Sequence, residues 1–223
     1  MQIPDYYLKR PVVSREKNED FDQLYSSILE RDSTAEIDYT LKAPKWQFLC
    51  YLSDTKNILL HGSVNPAIEE FEPRQSIDAD EFGNRRAIYA ASDGIWAMFF
   101  ALVDRTRVTS LVNTCCRIRQ TEDRTPESYY YFSIDEEALP QHPWCSGMVY
   151  LLPKNTFEQQ EAIQLAGAQI EISQWASTVS VKPIAKIAVS PGDFPFLNKV
   201  NGHDPVVVSE RASLNPNNFP WRD

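Results

Sequence analysis

The chain predicts an α+β fold. Helical spacing of apolar residues is concentrated early, at 19–31, 44–52 and 94–103. Strand-like runs dominate later, at 108–118, 128–134, 147–152, 168–176 and 184–189. A strand–helix–strand rhythm is missing, which argues against a doubly wound parallel sheet.

Residues 1–17 are polar and broken by Pro4 and Pro11, as in an irregular arm. Phe21, Leu24, Tyr25, Ile28 and Leu29 recur at helical spacing and predict an amphipathic helix from Glu19 to Arg31. Pro44 suits a helix first turn. Beyond it Phe48, Tyr51 and Leu52 share one face, with Trp46, Leu49 and Cys50 on a neighbouring one, as in a buried helix. Residues 1–45 read as an amino-terminal helical region or arm, and 46–223 as the main domain. Ile58-Leu59-Leu60 fits a buried strand, although so short a run also fits a helix. It is expected to end in a polar turn, His61-Gly62-Ser63. Gly83-Asn84 signals a turn and Ile88-Tyr89-Ala90 a short strand. Ser92 or Asp93 then caps a helix whose apolar surface includes Ile95, Trp96, Phe99, Phe100, Leu102 and Val103. Thr121 to Glu127 reads as a polar connection, Phe157 to Leu165 as helix-like, and Asn215 to Asp223 as a loosely held tail.

Composition narrows the function classes. With 43% hydrophobic and 24% charged residues, 223 residues can bury a sizeable core. The net charge of −9, from 31 acidic and 22 basic residues, argues against a broad nucleic-acid footprint or an anionic membrane partner. Cys50, Cys115, Cys116 and Cys145 contain no Cys-x-x-Cys pair and fit reduced thiols. Met1 to Tyr7 has no apolar signal-peptide core, and no apolar run approaches the ~18 residues of a membrane helix. A soluble, cytoplasmic protein is the expectation.

The stretch with the most chemistry is His61-Gly62-Ser63. It combines a planar donor/acceptor, a backbone open to close approach and a short hydroxyl, which suits a nucleotide-binding strand end. Taken alone, the same three residues also make an ordinary turn with a satisfied histidine, and Tyr89 and Phe100 are equally at home in a core. Leu59-Leu60-His61-Gly62-Ser63, followed by Ile88-Tyr89-Ala90-Ala91-Ser92, resembles the first two signatures of the diphtheria-toxin-like ADP-ribosyltransferases. The likeness is nearest to the poly(ADP-ribose) polymerase catalytic domain. The third signature, a glutamate followed by tyrosine on a late strand, looks like Gln174-Trp175.

The resemblance covers residues 57–190 and implies split antiparallel sheets with flanking helices over 46–223. It implies NAD as substrate and a glycosyltransferase chemistry: mono-ADP-ribosyl transfer to an unknown acceptor, a protein among the options, or NAD hydrolysis. A non-catalytic NAD or ADP-ribose binding module of the same fold is the alternative. By the resemblance His61 bonds the adenine-side ribose, Gly62 offers its backbone to the nicotinamide amide, and Tyr89 and Phe100 flank the ring. Ser63 or Ser92 would stand in for the family's amide-holding serine, whose place Ala97 takes. Gln174 stands at the catalytic glutamate. Cleaving the nicotinamide–ribose bond develops oxocarbenium character that a nearby anion stabilises. Glu171 is the neighbouring carboxylate, three residues earlier, and an odd offset turns it to the opposite face of a regular strand unless a bulge intervenes.

Other constellations carry less. His142 and Cys145 have no second pair to complete a zinc site. The four cysteines combine with His61, His142 or His203 without specificity, and no Gly-rich phosphate loop is present.

Overall fold

The computed structural model describes residues 2–12, 17–31, 35–78, 80–120, 125–165 and 167–222. In chain order the first half contains β1 (Leu8–Lys9), α1 (Asn18–Leu29), α2 (Lys45–Thr55), β2 (Ile58–Ser63), β3 (Arg74–Gln75), β4 (Arg86–Ala91) and α3 (Gly94–Leu102). The second half contains β5 (Leu111–Arg119), β6 (Glu127–Asp135), β7 (Gly147–Pro153), β8 (Glu158–Gln159), β9 (Ile163–Leu165), β10 (Ala168–Ile172), β11 (Gln174–Ser177), β12 (Ala185–Val189), β13 (Asn201–His203) and α4 (Pro205–Leu214). One sheet runs β1-β6-β5-β10-β9, with β13 also beside β6. The other runs β12-β7-β2-β4-β11-β8, with β3 also beside β4. Pairing is antiparallel apart from β13 on β6. The class is α+β, with two largely antiparallel sheets and four helices among the described residues.

Helix α3 is apolar on nearly every side, which is what a helix buried in a protein interior requires. Ile95, Met98, Phe99 and Leu102 are fully buried in the principal core, between Leu60 and Leu151 of one sheet and Tyr130 and Phe132 of the other. Two glycines admit the helix backbone. A Cβ on Gly62 would overlap the Ala97 carbonyl, and one on Gly147 the Ala101 carbonyl. Phe21 and Ile28 of α1 join the same core, and Leu8 pairs with Tyr130, so the amino-terminal segment packs on both helices and sheet. A second cluster covers the other face of the β2–β4–β7 sheet, from Leu59, Phe71, Ile88, Ala90, Tyr150, Leu152 and Val181.

Four expectations are corrected. His61, Gly62 and Ser63 are strand residues opposite Tyr150, Val149 and Met148, because β7 supplies a ladder partner to the end of β2. Residues 157–165 are not helical; β8 pairs on β11, and β9 turns back on β10 through Gly167 at φ +78°. The run 168–176 is two strands in two sheets, broken at Ser173. The tail is anchored: Trp221 is buried, and its Nε1 donates to the Asn215 carbonyl at 3.0 Å. Within the connection predicted from Thr121, residues 121–124 lie outside the described residues. Among the described residues, no helix is long and apolar enough to cross a membrane, and all four cysteines are free thiols.

Candidate functional site

Strands β2 and β4 meet at one register pair, Leu60 opposite Ala91. Beyond it β2 continues along β7 and β4 along β11, so the two strands splay from His61 onward. The His61 imidazole bridges the opening, its Nδ1 2.7 Å from the Tyr89 carbonyl oxygen. A carbonyl only accepts, so Nδ1 carries the proton and Nε2 presents its lone pair. Burial pushes His61 below the ordinary histidine pKa, against the carbonyl, which favours the proton. The half-buried ring meets Phe71 in a T-shaped contact, with centroids 4.7 Å apart. Phe71 is held there by paired backbone hydrogen bonds to Val181, at 2.8 and 3.0 Å.

Alternation from the Leu60–Ala91 pair places Gly62 and Tyr89 toward α3 and His61 toward the outer cluster. The histidine therefore meets Tyr89 through its carbonyl, while the tyrosine ring shares a sheet face with Gly62. The Tyr89 hydroxyl donates toward the carbonyls of Phe82 and Arg85, at 3.0 and 3.2 Å, and accepts from the Arg85 amide at 3.2 Å. It ties the turn at 82–85 to the strand. Phe100 is the exposed residue of α3, at 38%, and its ring contacts among the described residues are with Trp96 and Phe99, not Tyr89. Ala97 lies buried against Gly62. Ser63 is occupied locally, its Oγ accepting from the Asn65 amide at 3.1 Å.

Gln174 begins β11 opposite Ala91, which itself faces Leu60. His61, Tyr89 and Gln174 thus stand on three consecutive strands. Among the described residues the Gln174 side chain has no hydrogen-bond partner, and its carbonyl accepts from the Gln160 amide at 3.0 Å. Glu171 is in the other sheet, opposite Arg117. Ser173 is the joint between them: its amide donates to Cys115 of β5 at 2.9 Å, and its carbonyl accepts from the Ser92 amide at 3.0 Å. The expectation of Glu171 and Gln174 on one strand is therefore corrected, because this joint hands the chain from sheet to sheet.

The charge beside this joint is organised around Asp93, which is fully buried. Its Oδ1 caps α3 by accepting from the Trp96 amide at 2.9 Å. Its Oδ2 is bonded by Arg10 and, at 2.8 Å, by the Tyr130 hydroxyl. Arg10 also reaches Asp54 at 2.5 Å and Tyr130 at 3.0 Å. Asp54 in turn pairs with Arg117, which donates to the Ser92 carbonyl at 3.1 Å. Burial pushes the Asp93 carboxyl up, but Arg10 and the hydrogen bonds outweigh it and hold the group below the usual carboxylate range. Lys154 lies 3.9 Å over the Trp175 ring, and its pKa is depressed by burial and by Arg117.

Sequence reasoning missed Phe71, Arg10 and Arg117. Phe71 is an isolated aromatic between acidic residues, a weak signal; Arg10 and Arg117 reach the site only through tertiary packing. The chain matches no protein-family model, no curated protein and no solved structure.

Proposed function

We propose that the chain binds NAD at the β2–β4 splay and acts as a mono-ADP-ribosyltransferase or NAD-glycohydrolase on an ADP-ribosyltransferase-like fold. The observation that carries this reading is the succession of His61, Tyr89 and Gln174 on three neighbouring strands, with β2 and β4 unzipped at His61 and Tyr89. An opened strand pair offers main-chain groups to a planar carboxamide; the Tyr89 carbonyl is taken by His61 and the α3 backbone fills the side-chain face of Gly62, so the amide would meet the Gly62 main chain within the opening itself. The His61 Nε2 lone pair would accept from a ribose hydroxyl. Tyr89, on the same face as Gly62, would hold the electron-poor pyridinium by its ring face.

Catalysis requires an anion where the oxocarbenium develops, and Gln174 supplies none. Removing a preorganised electrostatic partner costs about 10²–10³ in rate. The reading is therefore of slow turnover, and chain elongation to a polymer is not expected. The neutral Gln174 beside the Arg117 side of the joint favours a second reading, an NAD or ADP-ribose binding module without turnover. Nicotinamide release from NAD, followed in wild type, Gln174→Glu and Gln174→Ala, separates the two. The transferase reading predicts slow release in wild type and acceleration in Gln174→Glu. Bound NAD with no release in any of the three leaves only the binding module, and absence of NAD binding defeats both.

A further inference from the structure

We propose that Ser110 is a base-activated nucleophile, with His203 as its general base, able to take up an acyl or phosphonyl group. Ser110 immediately precedes β5, and its Oγ lies 2.9 Å from His203 Nε2. The other imidazole nitrogen, Nδ1, lies 2.8 Å from the Oγ of fully buried Ser133. The Ser133 hydroxyl also lies 3.2 Å from the Asn201 carbonyl. We assign its one proton to that carbonyl, so that Ser133 accepts from Nδ1–H and the Nε2 lone pair faces the Ser110 hydroxyl. This is the proton arrangement of a nucleophile, a base and an orienting group. Asp135 fixes the nucleophile's backbone, accepting from the Ser110 amide at 2.8 Å and from the Thr109 amide and hydroxyl at 2.7 and 2.8 Å. Ser110 and His203 are half-buried, and exposed Thr109 and Gly202 adjoin them, so a small electrophile can reach the pair.

The same geometry limits the chemistry. Asp135 occupies the Thr109 and Ser110 amides, so neither donates to a developing oxyanion. That lack costs about 10²–10³ in rate, and an adduct should accumulate rather than turn over. With a fluorophosphonate, the Ser110 Oγ–P bond forms as P–F breaks, and the Ser110 proton passes to His203 Nε2 and leaves with fluoride.

The test is incubation of the folded full chain with a fluorophosphonate, locating the adduct by peptide mass spectrometry. The result expected is one adduct, on Ser110, with His203→Gln slowing its formation by about 10²–10⁴-fold, the range of general-base assistance. Ser133→Ala keeps the base but removes the oxygen that orients it, and should also slow labelling. The rate should be level above the ordinary histidine pKa of about 6.5 and fall only as acid protonates His203. Burial lowers that pKa, opposed by Asp135 and Asp204, the carboxylates facing the ring. Absence of a Ser110 adduct in the wild type overturns the proposal. So does labelling of His203→Gln or Ser133→Ala at the wild-type rate, or a rate that keeps climbing through pH 9 as for an unassisted hydroxyl.

Discussion

Tyr89 and His61 are asked to do separable things. Tyr89→Ala should weaken both nicotinamide and NAD by about 1–3 kcal/mol, the scale of an aromatic contact and its buried area. His61→Ala should weaken NAD by about 1–2 kcal/mol and leave nicotinamide nearly unchanged, since it removes one hydrogen bond to ribose. Calorimetric titration of both ligands checks this, and equal losses for nicotinamide would place His61 on the wrong end of the ligand. The pH dependence follows from the direction of the His61 shift. Its folded pKa is depressed, so the neutral form that accepts at Nε2 persists below the ordinary histidine value. NAD affinity should hold through pH 6.5 and fall as acid reaches the lower folded pKa. Stability carries the same sign: His61 contributes fully above the unfolded pKa, and that contribution is lost as pH falls toward the folded one.

Among elements, the α3 amino terminus is the most consequential, because a fully buried carboxylate there depends on an arm residue 83 positions earlier. Arg10→Met should destabilise the protein by about 3–5 kcal/mol, the cost of leaving a buried charge unpaired. Adding Asp93→Asn should recover part of that loss, because asparagine still caps Trp96 without a charge. Urea unfolding of both variants measures it, and a loss under about 1 kcal/mol in Arg10→Met would mean that the pair behaves as a surface bridge. The three early helices are readable from the sequence, α1 because its apolar residues recur at helical spacing, α2 and α3 because a broad apolar surface follows Pro44 and the cap residue Asp93. The strand break is not. Ala168-Gln-Ile-Glu-Ile-Ser-Gln-Trp-Ala176 contains neither glycine nor proline; its alternation holds from Ala168 to Ile172 and changes phase at Ser173-Gln174, which a bulge within one strand would also produce. Only the bonds of Ser173 to Cys115 and Ser92 reveal that one half belongs to each sheet. Helix α4 has no counterpart in the sequence reading: its Val206-Val207-Val208 run is β-branched and shows no helical spacing, while Asp204 and Pro205 start a helix.

For the whole molecule, the two sheets pack with α3 between them, and the negative net charge leaves specific binding to local geometry. The order of His61, Tyr89 and Gln174 is visible in the sequence, but their placement on the two sides of a splayed strand pair is not. That depends on β7 and β11 drawing β2 and β4 apart, which is a matter of distant ladders. Phe71 over His61 is hidden for the same reason, since Val181 fixes it from the far end of the chain. The most direct measurement is a crystal structure of the protein soaked with NAD. The account predicts nicotinamide between β2 and β4, its amide on the Gly62 backbone and its ring on Tyr89, with a ribose hydroxyl at His61 Nε2. NAD bound elsewhere, with β2 and β4 untouched, would contradict it.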